Sequence, residues 1–274
     1  MFSISLLNYC ITSNHNHIIA VEHKARSITR MMHKLEGDFA GYYNRRKQRS
    51  GSFWEDRYHC TMIEDGEHFH NCMIYVDMNM VRAGVVTHPR DWTWCGYLEL
   101  VGEKDRYRLL DIERVLVLAG SPDRGSFRQV YEKRICEAIE CQRFEREPYW
   151  TESIAVGSMS YLKRIADRIH VRRRYLDFDQ GRDGSWFIRD PSFLQPVQRR
   201  VPNLGQQSAR QMRKRVSKIP CKAVFKPGIC LKRLLKLDLS GSDPRYLFLA
   251  EGGDRVDPCR AACRQGACQQ GDGD

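Results

Sequence analysis

The sequence predicts an α+β fold, and three observations carry that prediction. Two short apolar runs, LLNYCI and HIIAV, flank a Ser13-Asn14 turn within residues 4 to 21, which is the pattern of two paired strands. Residues 27 to 43 and 65 to 84 instead repeat apolar side chains every three or four positions, the period of an amphipathic helix. Between those helices, His59 to Ile63 alternates as a strand does.

Taken in order, the second strand opens with His15-Asn16-His17. Residues two apart on a strand share a face, so both imidazoles point the same way and can hold one metal ion between them. The alternative is a pair of solvated histidines at a strand end. A second pair, His68 and His70, lies inside the later helix, where residues two apart diverge by about 200° and cannot chelate together. In the first helix Ile28, Met31, Met32, Leu35, Phe39 and Tyr42 form the packed stripe, with Ser27 as its cap. It leads into a basic loop containing Arg45, Arg46, Lys47 and Arg49, whose charges can grip phosphates or remain solvated. Phe53, Trp54 and Tyr58, interleaved with Glu55, Asp56 and Arg57, can stack on bases or pack against the sheet.

The helix from Asp65 to Gly84 is the centre of the sequence. Phe69, Cys72, Met73, Val76 and Met80 make a core band, while Asn71, Tyr75, Asn79 and Arg82 form a polar row on another side. Asp65 suits its N-cap and Gly84 its left-handed C-terminal position. The polar row reads either as a face that performs chemistry or as a surface face with a solvated tyrosine. Beyond it, Pro89 to Tyr97 is an aromatic-rich turn that folds back on the core. Helices follow at 111 to 119, 126 to 143 and from Ser158 to about His170, as the start of a separate helical unit. The last of these runs into a positive patch, Val171-Arg172-Arg173-Arg174-Tyr175. From about residue 205 the composition turns basic, polar and low in complexity, so disorder is expected there.

A net charge of +11 favours an anionic partner, nucleic acid first and a membrane surface second. No apolar run is long enough to span a bilayer, and MFSISLLNYC lacks the features of an export signal, so a cytoplasmic protein is expected. The 11 cysteines fit reduced thiols better than a disulfide framework, and Cys259, Cys263 and Cys268 lack the paired spacing of a zinc knuckle. Phosphate-binding loops, dinucleotide fingerprints and the serine nucleophile elbow are all absent from the sequence.

Together, SNHNHIIAV, the helix ending in YYNRR, GSFWEDRY, YVDMNMVRAGVV and PRDWTWCGY resemble the REP-associated tyrosine transposases of the HUH single-strand nuclease superfamily. The resemblance covers roughly residues 7 to 100, and WTESIAVGS is similar to the C-terminal extension of longer members. It implies a ferredoxin-like antiparallel sheet with helices on one side for residues 1 to 100, a helical accessory region at 101 to 204, and a tail at 205 to 274. It also implies metal ligation by His15, His17 and Asn79, nucleophilic attack on DNA by Tyr75, and Mg2+ or Mn2+ as cofactor. The partner implied is single-stranded or hairpin DNA, contacted by Arg45, Arg46, Lys47, Arg49 and Arg57, with a homodimer as one possible assembly. The expected activity is metal-dependent single-strand cleavage and strand transfer through a 5′-phosphotyrosine; the alternatives are a non-catalytic DNA-binding remnant and, more distantly, an RNA-binding protein. Members of the family have a hydrophobic residue where Asn16 stands, so a buried amide is expected there. They also open with a further strand and helix, so the chain reads as N-terminally truncated, with the middle of its sheet left open.

Overall fold

A computed structural model describes residues 2–13, 15–54, 58–104, 106–169, 176–190 and 247–253, the last as backbone only. The α+β class holds. Strands β1 (Ile4–Ile11) and β2 (His15–Glu22) pair as an antiparallel hairpin, followed by α1 (Ser27–Arg46), β3 (His59–Ile63), α2 (Glu67–Asp77) and α3 (Asn79–Arg82). Next come α4 (Tyr97–Leu100), α5 (Ile112–Ala119), α6 (Arg124–Glu140), α7 (Tyr149–Glu152), β4 (Ala155–Gly157) and α8 (Met159–Arg168). A 3-10 turn at Pro89–Asp91, the hairpin β5 (Asp177–Gln180) and β6 (Trp186–Arg189), and the strand β7 (Leu247–Gly253) complete the described elements.

One sheet of seven strands runs β1-β2-β7-β3-β4-β6-β5. Only β3 and β4 are parallel; every other neighbouring pair is antiparallel. The middle of the sheet is not left open. β7 enters between β2 and β3, antiparallel to both, with Glu251 opposite His17 on one side and His59 on the other. Seven residues of the region expected to lack order thus form a central strand, and they take the orientation of the first strand in a ferredoxin-like sheet. The positive patch from Val171 to Tyr175, the three tail cysteines and Arg57 lie outside the described residues.

The helices cover both faces of the sheet, not one. Along β2, Ile18 and Ala20 pack with Ile28 and Met32 of α1, whereas Ile19 and Val21 join Phe69, Cys72, Met73 and Val76 of α2. This follows from the period of two along a strand, which sends alternate side chains to opposite faces. The core on the α2 side continues without interruption through Val115, Phe127, Tyr131 and Ile135 of α5 and α6. The helices after residue 101 therefore share the core of the N-terminal elements and do not form a separate unit. That region also supplies β4, β5 and β6, which the sequence reading had not anticipated.

Helix α1 is only partly the packed helix its pattern suggests. Ile28 and Met32 are buried, but Leu35, Phe39 and Tyr42 are exposed because the helix runs past the edge of its support. Ser27 is its first residue and not its cap; Glu22 at the end of β2 accepts the Ile28 amide proton at 2.9 Å instead. The Pro89–Tyr97 segment does fold back: Ile11 N donates to Trp94 O and Gly96 N to Tyr9 O, both at 2.9 Å, which covers the free edge of β1. A Cβ on Gly96 would stand 2.2 Å from Asn8 Oδ1, so this close approach requires glycine.

Candidate active site

The N-cap of the helix carrying the polar row is Gly66, not Asp65. Gly66 has φ 69°, and its amide donates to Leu118 O at 2.9 Å, so α2 is anchored on α5 by a backbone conformation that glycine adopts without strain. The helix breaks lightly at Met78 and resumes as α3, but Met78 N still donates to Ile74 O and Arg82 N to Met78 O. Tyr75 and Asn79 therefore remain one turn apart on one face. Gly84 ends the segment at φ 68°, with Val85 N reaching back to Met80 O.

The polar row meets the histidine strand. Asn79 Nδ2 lies 3.2 Å from His15 Nε2 and 2.9 Å from His17 Nε2, and the two imidazoles are edge to face with centroids 5.0 Å apart. Tyr75 sits beside them, its ring centroid 5.8 Å from that of His17. The tyrosine is not solvated: it is 5% exposed, closed in by Arg82 on one side and by Trp150 of α7 at 6.2 Å. His68 and His70 diverge as the helix requires, His68 to Ser185 Oγ at 3.0 Å and His70 to Ala119 O at 3.2 Å.

Burial sets the protonation of the histidine pair. Desolvation holds His15 below the usual imidazole range and His17 well below it, and their proximity to Arg82 and Arg146 acts in the same direction. Both rings are therefore neutral near pH 7. The Thr12 hydroxyl donates to His15 O at 2.8 Å and lies 3.0 Å from His15 Nδ1, so that Nδ1 carries the ring proton and Nε2 presents its lone pair. His17 Nδ1 is buried with no partner among the described residues. Two bare Nε2 atoms facing one amide form a donor set that fits a divalent cation, once the amide turns to present its oxygen. Among the described residues no three His, Cys, Asp or Glu side chains cluster as a metal site, so an ion held by these two histidines would take the Asn79 amide as its nearest further donor.

A second network fixes the helix. Asp77, 1% exposed and lying between Tyr75 and Asn79 in sequence, accepts from Asn8 Nδ2 of β1 at 3.1 Å and from Tyr131 Oη of α6 at 2.6 Å. It ties α2 to the sheet and to α6 just where the polar row faces the histidines. Burial pushes its carboxyl up to about 7 despite the two donors. Asn16 points to the opposite face of β2 from the site and is buried, and its Oδ1 has no partner among the described residues, as its place between the two histidines implied.

Residues 1–79 match the family model for IS200-like transposases, a span that includes His15, His17 and Tyr75 and closes on Asn79. Over that span the chain is similar to the IS200-like transposases. No curated protein and no solved structure matches the chain. The match supports a transposase function, a DNA-processing role with which the net charge of +11 agrees. No helix among the described residues is long and apolar enough to cross a membrane.

Around this site the structure adds residues that the sequence reading did not single out. Trp150, Arg146 and Glu147 come from the segment joining α6 to β4. Arg146, held by Glu152 at 3.0 Å, is close enough to lower the proton affinity of both histidines, and Glu147 acts on Arg82. The only signal in the sequence was the family-like WTESIAVGS stretch, which carries no chemical motif. A cleft of about 640 Å³ opens beside Tyr75 and Arg82, with Asn71, Met78, Arg143 and Glu147 in its walls. Arg45, Arg46, Lys47 and Arg49 are exposed at the end of α1. Arg46 donates to Tyr42 Oη at 3.0 Å, and the Arg49 guanidinium lies 5.8 Å from the Tyr43 ring centroid and 5.9 Å from that of Phe53.

Proposed function

We propose that this protein is a transposase, a metal-dependent single-strand DNA endonuclease and strand transferase that acts through a 5′-phosphotyrosine on Tyr75. The observation that carries the reading is the convergence of His15 Nε2 and His17 Nε2 on Asn79, next to a tyrosine one turn away. His15, His17 and the Asn79 amide oxygen would hold Mg2+ or Mn2+, which when bound supplies Lewis-acid polarisation of a phosphate oxygen. Tyr75 Oη attacks phosphorus, the P–O3′ bond breaks, and the phenolic proton ends on the released 3′-OH. Reversal of this exchange by another 3′-OH rejoins strands without a nucleotide cofactor. Thr12 keeps His15 in the ligating tautomer, Asp77 fixes the helix that presents Tyr75, and Trp150 keeps bulk water from the phenol.

A second reading, a DNA-binding protein without cleavage, is favoured by one observation: Tyr75 is only 5% exposed, with Trp150 packed beside its ring, so little of the phenol is open to a strand. Substitution separates the two. His15→Ala and His17→Ala are each expected to lower cleavage of single-stranded DNA by at least about 100-fold in Mg2+ or Mn2+ while largely sparing strand binding, which rests on Arg and Lys. His68→Ala, whose imidazole faces Ser185, is expected to cleave normally. Parental rates in either strand-histidine variant would remove the metal assignment.

A further inference from the structure

Among the described residues, Arg82 is a cation with no counter-ion at short range. Its guanidinium lies 4.1 Å from the centroid of the Tyr75 ring, and Nη1 donates to Tyr75 O at 2.7 Å. Among the described residues no carboxylate oxygen stands within 4.0 Å of it, although Glu147 acts on it from farther away. Burial penalises the charge, and the arginine lines the cleft that opens beside Tyr75. Arg82 is half-buried, and a guanidinium partly removed from water gains from an anion or further acceptors that offset its lost hydration. One backbone carbonyl satisfies one of its five donors, and the stacking fixes the plane of the fork.

We infer that Arg82 is the anchor for a DNA phosphodiester at the cleft, holding its two non-bridging oxygens beside the Tyr75 hydroxyl. The inference rests on the reading of Tyr75 as the nucleophile and extends it to the group that positions the phosphate. The planar fork matches a phosphodiester in two-point fashion, and the single negative charge of one phosphodiester compensates the single positive charge of Arg82. Arg146, whose charge also reaches Arg82 and both histidines, reinforces the preference for an anion at this point. Its pairing with Glu152 makes it the less available of the two.

The test uses the full chain carrying Tyr75→Phe, which cannot form a tyrosine adduct at this position. Dithymidine phosphate and its uncharged methylphosphonate analogue are titrated while the Arg82 side-chain Nε–H resonance is followed by NMR. The phosphodiester is expected to shift that resonance and the methylphosphonate to leave it in place, a comparison that needs no change at Arg82. Arg82→Gln is expected to weaken phosphodiester binding by about tenfold or more, Arg82→Lys by less, and neither to alter methylphosphonate binding. Equal response to both ligands, or equal loss of both in Arg82→Gln, overturns the inference and leaves Arg82 as packing for Tyr75. The two readings fail separately. Adduct formation at Tyr75 with no phosphodiester response at Arg82 sinks only the anchor, whereas a charge-dependent response in a chain that forms no adduct sinks only the nucleophile.

Discussion

Asp77 shows how one buried side chain couples the site to pH. Its carboxyl titrates near 7 in the folded chain, against an ordinary value of 3.8, because burial outweighs the donors Asn8 and Tyr131. Between those values the folded state holds a proton that the unfolded state has lost. Stability from this group is therefore complete below pH 3.8 and is lost as pH rises through about 7. Glu36, also raised to about 7 by burial, acts with the same sign. His15, His17 and His70, all lowered from 6.5, act oppositely and lose stability as pH falls through 6.5. A difference curve isolates Asp77: the stability of the parent minus that of Asp77→Asn, measured by urea unfolding, is expected to decline from pH 4 to pH 7. Parallel curves would show that the carboxyl is ionised throughout. The meeting of Asn79 with the two strand histidines was implied by the resemblance to tyrosine transposases; strand and helix periods alone say only which side chains share a face. The Asn8–Asp77–Tyr131 network was not, because it joins residues 69 and 54 positions apart with no local pattern.

At the scale of the element, α1 illustrates where helical periodicity informs and where it does not. The stripe from Ile28 to Tyr42 is real, but periodicity says only that a face exists, not that something covers it. Ile28 and Met32 lie against β2, while Phe39 meets Phe53 and Trp54, with centroids 5.1 and 5.7 Å away. The helix also extends to Arg46, three residues beyond its expected end, and Arg45 and Arg46 in the last turn favour the negative end of the helix dipole. These exposed cations are expected to contact phosphates. Replacing Arg45, Arg46, Lys47 and Arg49 by Gln should flatten the slope of log affinity against log salt for single-stranded DNA by up to about 3. An unchanged slope would show that the basic end of α1 is only solvated.

For the whole molecule the decisive feature is β7. The hairpin β1–β2, which carries both histidines, reaches β3 only through this strand, so the sheet is continuous because a segment from near the far end of the sequence completes it. No sequence pattern could assign that place, since LFLAEGG is short and its partners lie more than 180 residues earlier. A chain ending at residue 246 is expected to lose several kcal/mol of stability, roughly 0.5–1.5 kcal/mol for each lost ladder bond. Amides of β2 should then exchange much faster. Addition of the peptide LFLAEGG should restore protection. Unaltered exchange in the shortened chain would show that β2 and β3 are joined in another way. The central claim is that Tyr75, brought by α2 to the histidines of β2, attacks DNA. The direct measurement is incubation of the full chain with single-stranded DNA and Mg2+ or Mn2+, then denaturation and peptide mapping of any covalent protein–DNA adduct. The account predicts an adduct on Tyr75 that Tyr75→Phe abolishes while the fold persists; an adduct on another residue, or one surviving in Tyr75→Phe, would contradict it.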